Sequence, residues 1–397
     1  MGASRFATFF GIERNIAGLL AMAVLVGMGE KMAERFLPVY VLALGGGALA
    51  VGGLNALDNL LSALYAYPGG WLADRIGTKR SLAVFNLMAI AGFALVIAIS
   101  RWWVVLAASA LFLSWTAISL PATMSLIAQV LPRQKRTMGV SMHSLVRRIP
   151  MALGPVAGGL LVTRFGERDG VRLAFLAAIA MAVIALFLQQ RLIEERPPAG
   201  AARAGKGQFV ALLGPDLRTL LLADILVRFC EQMPYAFVVI WCMRMHGLAG
   251  WEFGVLTAVE MVTAMLVYVP VAWLADRSRK KPFVVITFAF FTAFPALLTF
   301  CDSFWPLVAA FVLRGLKEFG EPTRKALIMD LAPDHQKAEA FGFYYLVRDV
   351  AVAGGAIAGA FLWARSPFLN LWVASAFGLL GTLLFALRGR DLEAGPA

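Results

Sequence analysis

Pro68-Gly69-Gly70-Trp71-Leu72-Ala73-Asp74-Arg75-Ile76-Gly77-Thr78-Lys79-Arg80 is a burst of charge and glycine set between two long apolar runs. It occurs twice. The second copy, Pro270-Val271-Ala272-Trp273-Leu274-Ala275-Asp276-Arg277-Ser278-Arg279-Lys280-Lys281, keeps Pro, Trp-Leu-Ala-Asp-Arg and the basic tail at an offset of 202 residues. A frame that returns after about half the chain marks two repeats of one unit.

Composition sets the solvent. The chain is 60% hydrophobic and only 15% charged, with a mean hydropathy of +0.76, whereas soluble domains are about half apolar and a quarter charged. A soluble chain of 397 residues needs a polar face on most of its helices. This one is an integral membrane protein. The net charge of +12 is explained by basic loops on one side of a bilayer, and nucleic-acid binding is excluded as its cause. Cys230, Cys242 and Cys301 lie in or beside apolar runs and give no paired framework; His143, His246 and His335 are scattered, so no metal cluster or other cofactor is expected. The first apolar run carries Glu30, Lys31, Glu34 and Arg35 and lacks a cleavage site, so it is a span and not a signal peptide.

The motif resembles a known signature. Gly70-x-Leu72-Ala73-Asp74-Arg75-x-Gly77-x-Lys79-Arg80 is similar, at every signature position, to the loop between the second and third helices of the major facilitator superfamily. The second copy departs from it, with Ala272 and Arg279 at the two glycine positions. The resemblance implies an all-α membrane protein with twelve transmembrane helices in two pseudo-symmetric six-helix halves, working as a secondary transporter by alternating access. Gly154-Pro155-Val156-Ala157-Gly158-Gly159 resembles the core of the motif of that superfamily's antiporter branch, with Pro150 where a glycine belongs; Gly355 to Gly359 answers it in the second half. Small residues that let two helices approach closely explain the same pattern. The arginine of that branch's fourth helix is missing, the polar residues there being Ser114, Thr116, Ser119 and Thr123.

Apolar runs broken by glycine, proline and charge place the spans at 16–44, 49–72, 81–99, 104–130, 139–162 and 173–192, then 216–245, 252–274, 282–300, 304–331, 338–363 and 367–387. The expected halves are 1–193 and 216–397, joined by a cytoplasmic linker at 194–215 that is rich in Pro, Gly, Ala and Arg. Within the linker, Gly200 to Gly207 falls short of a phosphate-binding loop, because Gly207 stands where Ser or Thr must hold magnesium. With both Asp-Arg loops on one side, about 20 Lys and Arg lie there against about 6 opposite. That side, with both termini, is expected to be the cytoplasm, the membrane being the bacterial inner membrane and the protein a monomer.

Ionisable groups inside spans are costly unless paired or wetted, so they are the candidates for function. Glu30 and Glu231 are equivalent at an offset of 201, Asp58 and Glu260 at 202, Arg147 and Arg348 at 201. The carboxylates Glu30, Glu231, Asp58 and Glu260 are candidate proton-coupling groups; Arg147, Arg314, Arg348, Glu34 and Arg228 are candidates for holding or neutralising a solute. Internal pairing between helices explains the same charges. Asp224, Arg228 and Glu231 form one stripe, and Arg314, Lys317, Glu318 and Glu321 another, with Arg324 and Lys325 read as a solvated helix end. Gly70, Asp74, Arg75, Gly77, Asp276 and Arg277 are candidate gating residues, against the alternative of an orientation-setting basic loop. The expected function is proton-coupled export of a small organic solute by antiport; the alternative is proton-coupled import of an organic anion. A membrane-embedded enzyme or receptor comes third, since no nucleophile, metal or phosphate cluster is present. Protons, a small-molecule substrate and the lipid bilayer are the expected partners.

Overall fold

A computed structural model describes residues 14–113, 133–193, 213–275, 279–333 and 337–390. All regular structure among them is helical. In hydrocarbon the backbone must satisfy its own hydrogen bonds within each segment, and a run of apolar residues does so only as a helix. The helices are α1 (Arg14–Glu34), α2 (Leu37–Ala43), α3 (Ala48–Ile76), α4 (Thr78–Ala98), α5 (Trp102–Phe112), α6 (Arg133–Leu192) and α7 (Pro215–Tyr235). After them come α8 (Val238–Ile240, continued by a π-helical turn over Trp241–Met245), α9 (Gly250–Ala275), α10 (Lys280–Leu298), α11 (Phe304–Leu316), α12 (Glu321–Leu331), α13 (Lys337–Arg365) and α14 (Pro367–Arg388).

The helices of the described residues fall where the sequence places its spans. Among the described residues, six helical stretches are long and apolar enough to cross a bilayer by themselves, and α7 with α8, bent by 40°, makes a seventh. The fourth predicted span is described only through α5, and the rest of it, with Ser114, Thr116, Ser119 and Thr123, lies outside the described residues. α6 runs over two spans because Gly166 (φ 80°) turns the chain between them. Gly77, the second glycine of the signature, has φ 89° and immediately precedes α4, a conformation that costs a residue with a Cβ about 1–3 kcal/mol.

Contacts divide the chain into two compact units. The first comprises Met1–Gly46, Leu61–Arg203 and Ala249–Gly254; the second comprises Gly47–Leu60, Ala204–Leu248 and Val255–Ala397. Each holds the same local construction. In the first unit α1 ends at Glu34 and α2 begins at Leu37; in the second α7 ends at Tyr235 and α8 begins at Val238, 201 residues later at both points. The bridging hydrogen bonds repeat as well, Phe36 N to Ala33 O at 3.0 Å and Phe237 N to Pro234 O at 2.7 Å. A glycine then presses on the same residue in each: a Cβ on Gly158 would collide with Met32 O, and one on Gly359 with Met233 O. The antiporter-like glycines are therefore close-approach positions, and what they hold in place is the charged turn of α1 or α7.

The second unit packs Leu217, Leu220 and Val227 of α7 with Phe288, Phe291, Leu327, Tyr344 and Phe385. Its tenth span is not the continuous helix expected from 304 to 331. The helix stops after Leu316 and restarts at Glu321 with Pro322 in its first turn, and Thr287 Oγ1 accepts the freed Gly320 N–H at 2.5 Å. Proline fits the first turn of a helix because its missing donor would be unpaired there anyway.

Candidate functional site

In the first unit α1 carries three charges at its C-terminal end. Lys31 Nζ lies 3.3 Å from Glu30 Oε1 and is also paired with Glu34. Two carboxylates thus share one ammonium. Glu30 is only 3% exposed, and its Oε2 has no hydrogen-bond partner among the described residues. Gly154, against Lys31, and Gly158, against Met32, let α1 pack directly on α6 with no space for a Cβ between them. Arg147, half-buried on α6, is within electrostatic reach of Glu30.

The second unit holds a longer arrangement, an unbroken chain of ion pairs across α7, α9, α11, α12 and α13. Arg314 Nε is 3.2 Å from Glu260, whose carboxylate also meets Lys317 at 3.1 Å. Lys317 reaches Glu231 at 2.9 Å, and Glu231 receives Arg228 at 2.6 Å. Arg228 continues to Glu321 at 3.4 Å and Asp224 at 3.8 Å, and both of those acids pair with Arg324. Arg348 sits 3.7 Å from Asp224 and 2.6 Å from Asp349, while Tyr344 donates to Asp224 at 2.9 Å. Sign alternates along the chain. Arg228, Arg314, Lys317, Arg324 and Arg348 stand against Asp224, Glu231, Glu260, Glu321 and Asp349, so each buried charge has a partner, and without one it would cost several kcal/mol. Aromatic rings face the cations, Phe291 under Arg228 and Tyr345 under Arg348 at 5.1 and 4.1 Å.

The stripe Asp224, Arg228, Glu231 forms as the spacing predicts. Arg324 does not match its reading as a solvated end: it is 1% exposed, held by Asp224, Glu321 and Tyr345. The break at 317–320 redirects the chain and carries Arg324 into the unit's interior, whereas its neighbour Lys325 is half exposed. Glu34 and Glu30 are brought together; Glu231, Glu260, Arg228, Arg314 and Arg348 are all brought into one chain. Lys317 and Arg324, which the sequence reading does not select as site residues, are two of its links; the acidic partners that select them lie 57 to 100 residues away. Asp58 is half-buried on α3 and engaged by its neighbours, in the second unit with Glu260.

Among the gating candidates, Gly70 and Asp74 lie within α3, their side chains outside the described atoms, and Asp276 and Arg277 lie outside the described residues, as does most of the linker. Arg75 stacks on Trp71 at 5.1 Å. The basic tail of the signature is tied to the end of the sixth span, with Lys79 Nζ donating to Gln190 O at 2.8 Å and Gln189 Nε2 to Lys79 O at 2.7 Å. Among the described residues no group of His, Cys, Asp and Glu offers a metal site.

Comparison with known proteins bears on this geometry. The family model of the Major Facilitator Superfamily matches residues 19–251 and 220–396. The Multidrug resistance protein MdtG of Citrobacter koseri is 24% identical over 94% of this chain and 93% of its own. The Quinolone resistance protein NorA of Staphylococcus aureus is 27% identical over 35% of this chain and 36% of its own. Among solved structures, a mutant of the nucleoside transporter NupG superposes with a TM-score of 0.76 at 11% identity, over 94% of this chain and 98% of that one.

Proposed function

Because the chain belongs to the Major Facilitator Superfamily and is a membrane transporter rather than an enzyme, we propose that it exports small organic solutes in exchange for protons, with Glu30 carrying the proton. The observation that carries this reading is the buried Glu30 oxygen without a hydrogen-bond partner. A carboxylate sharing one ammonium with a second carboxylate is the group whose burial a proton relieves most. Glu231 and Glu260, each held by two cations, support the second unit's charges instead, and Asp58 is next in line. Proton uptake at Glu30 weakens its hold on Lys31, which stays paired with Glu34. The resulting shift in α1 is passed to α6 through Gly154 and Gly158, where there is no slack.

Export is supported by the names of two relatives, a multidrug and a quinolone resistance protein. The test is transport in proteoliposomes under an imposed pH gradient with a panel of small organic solutes. Glu30→Gln is expected to abolish proton-driven movement and to keep exchange down a solute gradient. Wild-type behaviour of both Glu30→Gln and Glu231→Gln would return these acids to structural pairing and leave coupling to Asp58 and Glu260. Solute and protons moving in the same direction would replace export with proton-linked import of an organic anion.

In the same reading the Asp-Arg loops and both termini face the cytoplasm of a bacterial inner membrane. Single cysteines at the exposed Arg80 and Gly47 should then label from opposite sides. Asp74 acts in cycling, so Asp74→Asn is expected to lower turnover and leave solute affinity unchanged; a fall in affinity with turnover kept would make the loop part of the solute site.

A further inference from the structure

The second unit contains a small cavity lined by Glu231 and Val238, by Phe290, Phe291 and Phe294 of α10, and by Arg314 and Lys317. It has room for the centre of about one water molecule, roughly 10 Å³. Arg314 is 4% exposed. Its Nε faces Glu260, and its guanidinium is held among Phe294 at 4.9 Å and Tyr235 and Phe311 at 5.5 Å. Nε is the Arg314 nitrogen paired with a carboxylate among the described residues. A buried fork of N–H donors, fixed by three rings and bordering an oxygen-sized space, is a built acceptor site.

The charges around it decide what enters. Lys317 and Arg314 come from the tenth span, Glu260 from α9 and Glu231 and Arg228 from α7; Glu318 is the next acid on the chain, Cys242 a thiol within electrostatic reach of Arg314, and α10 contributes only phenylalanines to the lining. The two cations at the cavity, Arg314 and Lys317, are already matched by Glu260 and Glu231. A carboxylate entering this space would add an uncompensated charge in a desolvated place, and that cost exceeds what a charged hydrogen bond gains over a neutral one. A carbonyl oxygen uses the same donors and leaves the balance intact.

We propose that this cavity is a subsite for the carbonyl oxygen of an uncharged aromatic solute, with Arg314 as donor and Phe290, Phe291 and Phe294 as the apolar wall. The space receives the head of the molecule and not the whole of it. The proposal rests on the transport reading and specifies its solute: a neutral acceptor attached to a flat ring, and not an organic anion.

The test is saturation-transfer NMR on the full chain in detergent, with benzamide, benzoate and benzylammonium as probes of one ring and three charges. Benzamide is expected to bind at least about tenfold more tightly than either ion. Arg314→Lys keeps a cation for Glu260 but removes the fork, and should weaken benzamide about tenfold, a loss of about 1.4 kcal/mol. Phe294→Leu, which leaves every charge in place, should weaken it as well, and it carries the test if Arg314→Lys does not fold. Benzoate binding as tightly as benzamide, or benzamide binding unchanged in the folded variants, overturns the proposal. Proton-driven transport that depends on Glu30, together with benzamide binding indifferent to Phe294 and Arg314, removes the subsite alone. Binding that obeys these variants in a protein without proton-driven transport removes the transport reading alone.

Discussion

Glu30 and Glu231 are equivalent residues on equivalent helices, each four residues before the break that ends its helix, and their surroundings differ in kind. Around Glu30 the same helix supplies one cation and a second acid, and one oxygen is left over. Glu231 has both oxygens taken, by Lys317 from another span and by Arg228. The surrounding helix explains the contrast. Where α1 has Ala23 and Gly27, α7 has Asp224 and Arg228 at the matching positions 201 residues on. The two units share backbone construction and divide the electrostatics: a short, incompletely satisfied cluster in one, a balanced chain in the other. A chain whose charges balance resists change, and two acids gathered on one ammonium invite it, which is why the mobile proton is proposed for the first unit.

The comparison can be broken most forcefully at Arg324. Arg324→Met leaves Asp224 and Glu321 short of their main partner, and should lower stability in detergent melts by about 3–5 kcal/mol. Adding Asp224→Asn should restore a good part of that loss. Equal melting of the single and double variants would mean the chain is not a coupled network. Glu231→Gln takes one carboxylate partner from both Lys317 and Arg228 and is expected to cost about 3 kcal/mol, against about 1 kcal/mol for Glu30→Gln. Equal losses at the two positions would erase the contrast. The shared construction is sharpened by Gly158→Ala and Gly359→Ala, each expected to cost about 1–3 kcal/mol through overpacking and to agree within about 1 kcal/mol. The smallest effect is at the signature loop, where the exposed bond from Lys79 to Gln190 O predicts a loss of about 0–1 kcal/mol for Lys79→Ala.

Much of this is legible in the sequence because its signal is local. Apolar runs bounded by glycine, proline and charge give twelve spans, and the repeated Trp-Leu-Ala-Asp-Arg frame gives the register that aligns Glu30 with Glu231. Pairings across helices are less so. The stripe of Asp224, Arg228 and Glu231 reads directly from spacing on one helix, but Arg324 reads as solvated because its distance from the start of an apolar run puts it at a helix end. The break at 317–320 overrules that inference. Its signals, Gly320 and Pro322, are present in the sequence, but what fixes the turn is Thr287 on α10, reaching Gly320 N from 33 residues away. Lys317 escapes selection for the same reason, since its importance comes from two acids on two other helices. The breaks at 34–37 and 235–238 carry different prolines, Pro38 in one unit and Pro234 in the other, so their equivalence shows only once the backbone is seen.

The glycine at 158 meets a main-chain oxygen at Met32, and the glycine at 359 meets the same oxygen's counterpart at Met233. A contact made by two backbones offers no side chain that can be exchanged in small steps: glycine fits and anything larger collides. Positions of this kind allow no graded substitution, whereas the residues beside them differ between the units, Lys31 in one and Gln232 in the other. The two units are therefore alike in shape through residues with no side chain and unlike in chemistry through the residues beside them.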